Sequence, residues 1–588
     1  MSSRHEVLEA LSRIAFGHAF LDEEPMRARA FDNAYRTLKK LPDLRAAFDA
    51  GEVARLPGVG PGILDVVGRV FRGEPVPALE RLEELIPAGI FEARRLPGIG
   101  PKKLKVLQDQ LGIQSLAELE YAVNENRLTS LPGFGAKTQD KVRDALAAMR
   151  ERASLRRLDQ ARDAVDAVLE RLRAVPGVHR AERAGEARRG TEVVADVLAA
   201  AVVDVDAVPA VLAALDAAPG PERDGVPTLV TSGDTPVTIG LGHYVDTFGA
   251  LWLWLTGAPE HVQAVAARAN ERGGTLGPLG LHLAERRVPC PEEDDVYAAL
   301  DLHPTPPERR EAGVPLVPRG EAAPRLLRRE DLRGALHNHT TSSDGISSLE
   351  EMCAAANAAG LEYLGISEHS QTAAYAGGLD AGALRAQIAT IAALNATRAA
   401  AGGTTVLSGI ESDILKEGDL DYPDDVLAGL DVVIASVHNR YGLGRDGMTA
   451  RMLAAAANPW VDVIGHPTGR LILGRPASEF DVEAWLDACA ASGCAVELNA
   501  NPQRLDLCER HLAMAKERGL LVSISADAHS AQALAHLDYG VVIARRAGLG
   551  PADVLNAKPL AELRAWLAER RARAAPGGSR NTPSPTRS

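Results

Sequence analysis

Histidines, aspartates and glutamates recur in the second half of the chain at spacings that suit metal-assisted hydrolysis. They stand as His337-Asn338-His339 with Asp344, Glu368-His369, Glu411, His438, His466 and Asp527-Ala528-His529. Nitrogen and oxygen donors without cysteine favour Mn²⁺, Zn²⁺ or Fe²⁺ over softer metals. A lone histidine at the end of a strand is more often a satisfied buried group than a ligand, but that reading fails when it must hold independently at so many positions. A multinuclear centre built from His337, His339, Asp344, His369, Glu411, His438, His466, Asp527 and His529 would activate water for in-line attack on phosphorus and stabilise the leaving oxygen. Asp344, Glu411, Asp527 and Arg470 are the expected catalytic residues. Arg440, Arg451 and Arg475 are further candidates for phosphate contact, and Asn499 and Asn501 for orienting substrate.

Such residues meet only if the elements carrying them open on one face. After a stretch rich in Pro, Glu and Arg (305–330) the chain takes up a strand-and-helix rhythm, with apolar runs at 334–336, 363–366, 405–407, 432–435, 461–464, 495–498 and 521–524. That rhythm predicts a parallel sheet covered by helices. In a parallel barrel every strand ends on the same face, so ligands spread over nearly two hundred positions converge.

The first third carries a different chemistry. Leu56-Pro57-Gly58-Val59-Gly60, Leu96-Pro97-Gly98-Ile99-Gly100 and Leu131-Pro132-Gly133-Phe134-Gly135 each precede a helical pattern. Two glycines per copy permit φ > 0 and close backbone approach, and the following helix offers unpaired N–H groups to a phosphate. A single copy could be an ordinary tight turn; three argue for a repeated phosphate grip. Upstream, residues 6–41 show apolar residues at helical spacing, with Pro25 opening a second helix.

These turns resemble the helix-hairpin-helix, a sequence-independent binder of the DNA backbone, which implies DNA contact by Gly58, Gly60, Gly98, Gly100, Lys102, Lys103, Gly133, Gly135 and Lys137. The first copy has Pro61-Gly62 where the others place lysines. The next segment, with apolar runs at 192–205 and 226–240, reads as α+β, and Ala184-Gly185-Glu186-Ala187-Arg188-Arg189-Gly190 resembles the palm of a bacterial family X DNA polymerase. That family's pattern departs here. Glu186 stands at the serine position, Ala195-Asp196-Val197-Leu198 at the strand of paired aspartates, Val237-Thr238-Ile239 at the third aspartate, and Trp254-Leu255-Thr256-Gly257 at Tyr-Phe-Thr-Gly. Two-metal synthesis needs several carboxylates, so Arg189 and Asp196 read as a vestigial site, unless Asp204 or Asp234 replaces a missing ligand. Mg²⁺ is expected only if the palm is active.

The histidine-rich half resembles the polymerase-and-histidinol-phosphatase (PHP) domain through His337-x-His339, Ser343-Asp344-Gly345, Glu368-His369, Gly409-Ile410-Glu411, Ser436-Val437-His438, Gly465-His466-Pro467 and Asp527-Ala528-His529. The resemblance implies a distorted (β/α)7 barrel and up to three ions. It groups His337, His339, Glu411 and Asp527 on one ion, His438 and His466 with a bridging Glu411 on a second, and Asp344, His369 and His529 on a third.

The expected architecture is therefore multidomain: a helical DNA-end-binding region with the first hairpin (1–80), the second and third hairpins (81–150), a degenerate palm and thumb-like region (151–304), a linker (305–333), the PHP barrel (334–573) and a disordered tail (574–588). A net charge of −14 over 588 residues excludes a protein that coats DNA by charge alone, although the first 150 residues are roughly neutral and carry clustered lysines. Five scattered cysteines without paired spacing, and no apolar h-region or bilayer-length stretch, fit a cytoplasmic protein. The family resemblance implies a DNA-repair enzyme acting on gapped, nicked or 3′-ended DNA without sequence preference, as a metal-dependent 3′–5′ exonuclease or 3′-end phosphoesterase with polymerase activity weak or lost. The alternatives are an active gap-filling polymerase with accessory exonuclease, a phosphatase of small esters such as histidinol phosphate, and a non-catalytic DNA scaffold.

Overall fold

The computed structural model describes residues 4–22, 24–41, 44–96, 98–124, 127–131, 133–398 and 403–574. Pro97 and Pro132 of the repeats, and residues 575–588 of the tail expected to be disordered, lie outside them. The chain divides into two compact units, Met1–Ser154 and Leu155–Ser588.

The first unit is helical. Helices Arg4–Leu21 and Pro25–Leu38 open it; the second starts with Pro25 in its first turn and buries Ala28, Phe31, Ala34 and Leu38 along one stripe. The three glycine turns share one backbone. Each closes through the same hydrogen bond, from Val59 N to Leu56 O, Ile99 N to Leu96 O and Phe134 N to Leu131 O. Each then caps a helix, Pro61–Arg72, Pro101–Leu111 and Ala136–Ser154. Gly58, Gly98 and Gly133 take φ of 83°, 81° and 80°, the left-handed region where a Cβ is costly. The second glycines do not share it: Gly60 and Gly100 are extended helix caps with φ of −85° and −88°. Nothing within the protein requires glycine there, since a Cβ on Gly60, Gly100 or Gly135 would meet nothing within 4 Å. Lys102 and Lys137 are exposed beside these turns, while Lys103 bends back to donate to Gly98 O at 3.2 Å.

The second unit begins with a five-stranded mixed sheet of β1 (Val178–Ala184), β2 (Val197–Val203), β3 (Ala217–Pro219), β4 (Thr228–Thr231) and β5 (Thr238–Gly242). Its spatial order is β1-β2-β5-β4-β3, and only β2 and β5 run parallel. The expected linker is no free tether. Arg310 is 2% exposed, Glu308 pairs with Arg545, and Leu327 N donates to Leu549 O.

The barrel follows the expected seven strands: β6 (Gly334–Ala335), β7 (Tyr363–His369), β8 (Thr405–Asp413), β9 (Val432–Ser436), β10 (Val463–Gly465), β11 (Ala495–Asn499) and β12 (Val522–Ser525). They pair in parallel in sequence order, and a bridge from Asn338 to Ala528 brings the last strand back toward the first. The strands are buried on both faces, which is why they read as continuous apolar runs. Leu336, Tyr363, Leu407, Ile434, Val463 and Ala495 form one cluster, closed by Leu563 and Leu567 of the C-terminal helix Leu560–Ala574. Their alternating neighbours Ala335, Leu364, Val406, Val433, Ile464 and Val496 pack in the larger cluster with the surrounding helices.

Glycine fixes the spacing of the first two strands. A Cβ on Gly365 would stand 2.6 Å from Leu336 O and 3.0 Å from Leu336 Cα, backbone atoms that cannot rotate away. Gly365→Ala is expected to lower stability by about 1–3 kcal/mol, read as a lower urea midpoint of the barrel transition. An unchanged midpoint would show that this contact does not set the strand spacing.

Candidate metal centre

Six of the seven strands deliver ligands to the same mouth, and β11 delivers none. His337 and His339 follow β6, His369 ends β7, Glu411 lies inside the long β8, His438 follows β9, His466 follows β10, and Asp527 and His529 follow β12. The chain bends sharply at two of them: His466 and Asp527 have φ of 23° and 49°, strained values for residues with a Cβ.

Glu411 is the hub. Its Oε1 lies 2.9 Å from His466 Nε2, 3.1 Å from His438 Nε2 and 3.4 Å from His337 Nε2; its Oε2 lies 2.9 Å from His369 Nδ1. Asp527 Oδ1 reaches His339 Nε2 at 3.2 Å, and Asp344 Oδ1 reaches His529 Nε2 at 3.2 Å and His369 Nε2 at 3.4 Å. Among the described residues, four groups bring ligand atoms within 4.8 Å of one another, and all lie here. They are His339, Asp344, His369 and His529; His337, His339 and Asp527; His337, Glu411 and His466; and His369, Glu411 and His438. Asp344, His369 and His529 thus come together with His339 added. His438 and His466, expected on one ion, fall in separate groups that share Glu411.

The donors fit divalent ions. His337 Nε2, both ring nitrogens of His339 and Glu411 Oε2 are buried and, although charged groups stand close to them, make no hydrogen bond of good geometry, a costly condition that coordination would relieve. A ring of outer residues orients them. Glu497 takes His337 Nδ1 at 2.7 Å and accepts from His466 N at 2.6 Å; Asp413 holds His438 Nδ1; Asn499 donates to Asp527 Oδ2 at 3.0 Å. Glu368 accepts from Thr340 and Ser343 and so ties down the loop that carries Asp344. Glu497 and Asp413 escaped the sequence reading, although an acid inside the buried run Ala495–Asn499 was a visible signal.

Charge balance in the metal-free cluster is set by these neighbours. Burial pushes His337 down, but Glu497, Glu411 and Asp527 prevail and hold it well above the usual range. His369 and His438 are raised to about 10 and about 9 against the same burial, chiefly by Glu411. His339, buried and facing His369, is lowered to about 3. Glu411 and Asp527 are held well below the usual carboxylate range, with the surrounding imidazoles overcoming burial.

The arginines sort differently from expectation. Arg470 spends its guanidinium on Arg504 O at 2.9 Å, on Leu505 O and on Glu192 Oε1 at 2.7 Å, so it does not stand free at the mouth. Arg451 donates to the carbonyls of Leu415, Asn439 and Ile414, and Arg475 to Gly469 O over the ring of Tyr441. Arg440 is exposed. Asn499 is buried against Asp527, and Asn501 Oδ1 accepts from Gln503 N. Arg504, which no motif had marked, stands with Nε 3.7 Å from Asp527 Oδ2.

The five-stranded sheet offers no comparable cluster among the described residues. Asp196 precedes β2 and pairs with Arg223 at 2.5 Å, and the next positions along the adjacent strands are Leu198 and Thr238, which face each other in register. Asp204 lies beyond the far end of β2, roughly 25 Å away at the rise of a strand, and holds His179 at 2.8 Å. Glu186 accepts from Ala195 N at 2.6 Å. Arg188 and Arg310 both grip the buried Glu293, and Arg189 holds Glu311 and Thr256 O.

Residues 2–72 match the helix-hairpin-helix domain model, 92–148 the SAM-like helix-hairpin-helix tandem, 251–311 the DNA polymerase beta thumb and 335–501 the PHP domain. The chain is 31% identical over 577 residues to the DNA polymerase/3′-5′ exonuclease PolX of Bacillus subtilis, covering 96% of this chain and 99% of that protein. A probable phosphatase of Caldanaerobacter subterraneus is 30% identical over 190 residues, 31% of this chain and 71% of the relative. One of Shewanella sp. is 32% identical over 177 residues, 29% of this chain and 68% of the relative.

Two outcomes are expected of the cluster. Ligation requires neutral imidazole, and His369 and His438 hold protons at pH 7 before metal enters. Adding Mn²⁺ to metal-free protein in weak buffer at pH 7 should therefore release protons, and affinity should rise from pH 6 to pH 8; uptake without proton release would contradict this charge assignment. Glu497→Gln should weaken metal binding roughly 10–100-fold by titration calorimetry, and unchanged affinity would remove Glu497 from the support of the site.

Proposed function

The chain belongs to the bacterial family X DNA polymerases, and from that premise we propose that it is a DNA-repair enzyme whose chemistry resides in the barrel, as a metal-dependent 3′–5′ exonuclease or 3′-end phosphoesterase, with synthesis weak or lost. The contrast between the two candidate sites carries this reading. The barrel mouth gathers its histidines and acids around Glu411, while the sheet presents Asp196 beside Leu198 and Thr238. One carboxylate cannot hold two ions against a triphosphate, and Arg188 and Arg189 are already committed to Glu293 and Glu311.

In the barrel, His337, His339 and Asp527 would hold one ion, Glu411 with His466, His438, His337 and His369 would hold another, and Asp344 and His529 with His369 and His339 would hold a third. Bound ions would supply activation of water and neutralisation of phosphate charge. The protein's own part is to fix these side chains: Glu497 orients His337, Asp413 orients His438, and Asn499 orients Asp527. The glycine turns would present exposed backbone to a strand, a grip that needs little net positive charge. No described helix is long and apolar enough to cross a membrane. A phosphatase of small esters is the second reading, because probable phosphatases match about a third of the chain, which also carries the PHP domain at 335–501.

The test is digestion of 5′-labelled single-stranded and gapped DNA with Mn²⁺, comparing wild type with His339→Ala, alongside labelled dNTP on the gapped substrate. The expected result is a ladder shortening from the 3′ end, at least 100-fold slower in the variant, with no incorporation of label. Hydrolysis of small esters without DNA degradation would favour the second reading, and incorporation lost in Asp196→Ala would restore the polymerase.

A further inference from the structure

One cation at the metal mouth is left without a duty. Arg504 is held beside Asp527, its Nη1 is buried without a hydrogen-bond partner, and its charge acts on Asp527, Glu411 and His466. Burying an arginine with an open donor is costly unless an anion completes it. Of the four arginines favoured by sequence, three are engaged by backbone carbonyls, and Arg440 is exposed rather than held beside the ligands.

The loop that carries Arg504 is built. Asn499 Oδ1 accepts from Asn501 N, Asn501 Oδ1 from Gln503 N, and Asn501 O from Arg504 N and Leu505 N. Leu505 turns with φ of 41°. The carbonyls of Arg504 and Leu505 are then clamped by Arg470, whose other partner is Glu192, at the edge of the five-stranded region. A guanidinium is suited to a phosphate because its planar fork matches two oxygens.

We propose that Arg504 grips the phosphate group engaged at the barrel mouth, and that Glu192, acting through Arg470, positions the loop that carries it. This rests on the reading of the barrel as a phosphoesterase, and gives the palm-like region a task there: Glu192 is a positioning residue, Arg504 the one that touches substrate.

Inorganic phosphate is the probe, titrated into the full-length, Mn²⁺-loaded protein by calorimetry, with metal content and melting temperature measured for every variant. Arg504→Met should weaken phosphate binding at least tenfold with metal content unchanged, and Arg504→Lys should keep part of the affinity. Glu192→Gln should weaken binding several-fold in the wild-type background and have no further effect in Arg504→Met. Equal affinity in wild type and Arg504→Met, or no phosphate binding by wild type, overturns the proposal. An equal loss from Glu192→Gln in both backgrounds overturns the positioning link, and should Arg504→Met fold poorly, the lysine and glutamine variants decide alone. If phosphate binding depends on Arg504 but the enzyme degrades no DNA, the assignment to DNA fails while this inference stands.

Discussion

A buried carboxylate surrounded by imidazoles is the constraint on which the barrel depends. Glu411 is 1% exposed and has His337, His438 and His466 within 3.4 Å of one oxygen and His369 at 2.9 Å from the other. Such a group is tolerable in a dry interior only while its partners stay in place. The strands have to be parallel for the partners to arrive from one side, and the outer acids Glu497 and Asp413 have to fix the rings. The strain at His466 and Asp527 belongs to the same requirement, since an ordinary backbone would point these side chains elsewhere.

The same physics reads differently in the five-stranded region. There the buried charges are neutralised within the protein. Glu293 is shared by Arg188 and Arg310, with Arg188 stacked 3.5 Å from the centre of the Trp252 ring, and Glu311 is shared by Arg189 and Arg546. Among the described residues, Arg188, Arg189, Arg310, Glu293 and Glu311 have no fully buried side-chain atom without a partner, whereas the barrel mouth keeps several. Satisfied groups hold structure and unsatisfied ones await a ligand, which separates the two regions more sharply than residue identity does.

Much of this was legible in sequence because the signals were redundant. Seven apolar runs found seven strands, and ligand pairs such as His337-x-His339 and Asp527-Ala528-His529 fell at their ends. The glycine turns were readable in place but only half in reason: Gly58, Gly98 and Gly133 need a positive φ, whereas Gly60 and Gly100 are extended. Single residues were harder. Arg470 looked free because it follows a histidine motif, yet its partners are the carbonyls of residues 504 and 505 and an acid at 192, contacts that no local spacing reveals. Arg504 and Glu497 were missed for the converse reason, since each acts through distant partners and sits in no repeated pattern.

On the proposed reading, in which the palm-like sheet no longer supports synthesis, the region has physical reasons to persist. Every residue of β2 is buried, and Leu198 packs with Ala184 and Leu251 where the family places an aspartate. Removing like charges from a buried strand relieves repulsion that a catalytic site must otherwise sustain until metal arrives. The region is also bound to the barrel by packing: Tyr539 and Val542 of the barrel helix Leu537–Arg546 join its core, and Gly190 leaves no room for a Cβ, which would stand 2.1 Å from Val542. The fold of such a region does not depend on its chemistry, because Tyr539, Val542 and Gly190, which pack it against the barrel, lie apart from Asp196 and Leu198 in sequence and carry no metal-binding group.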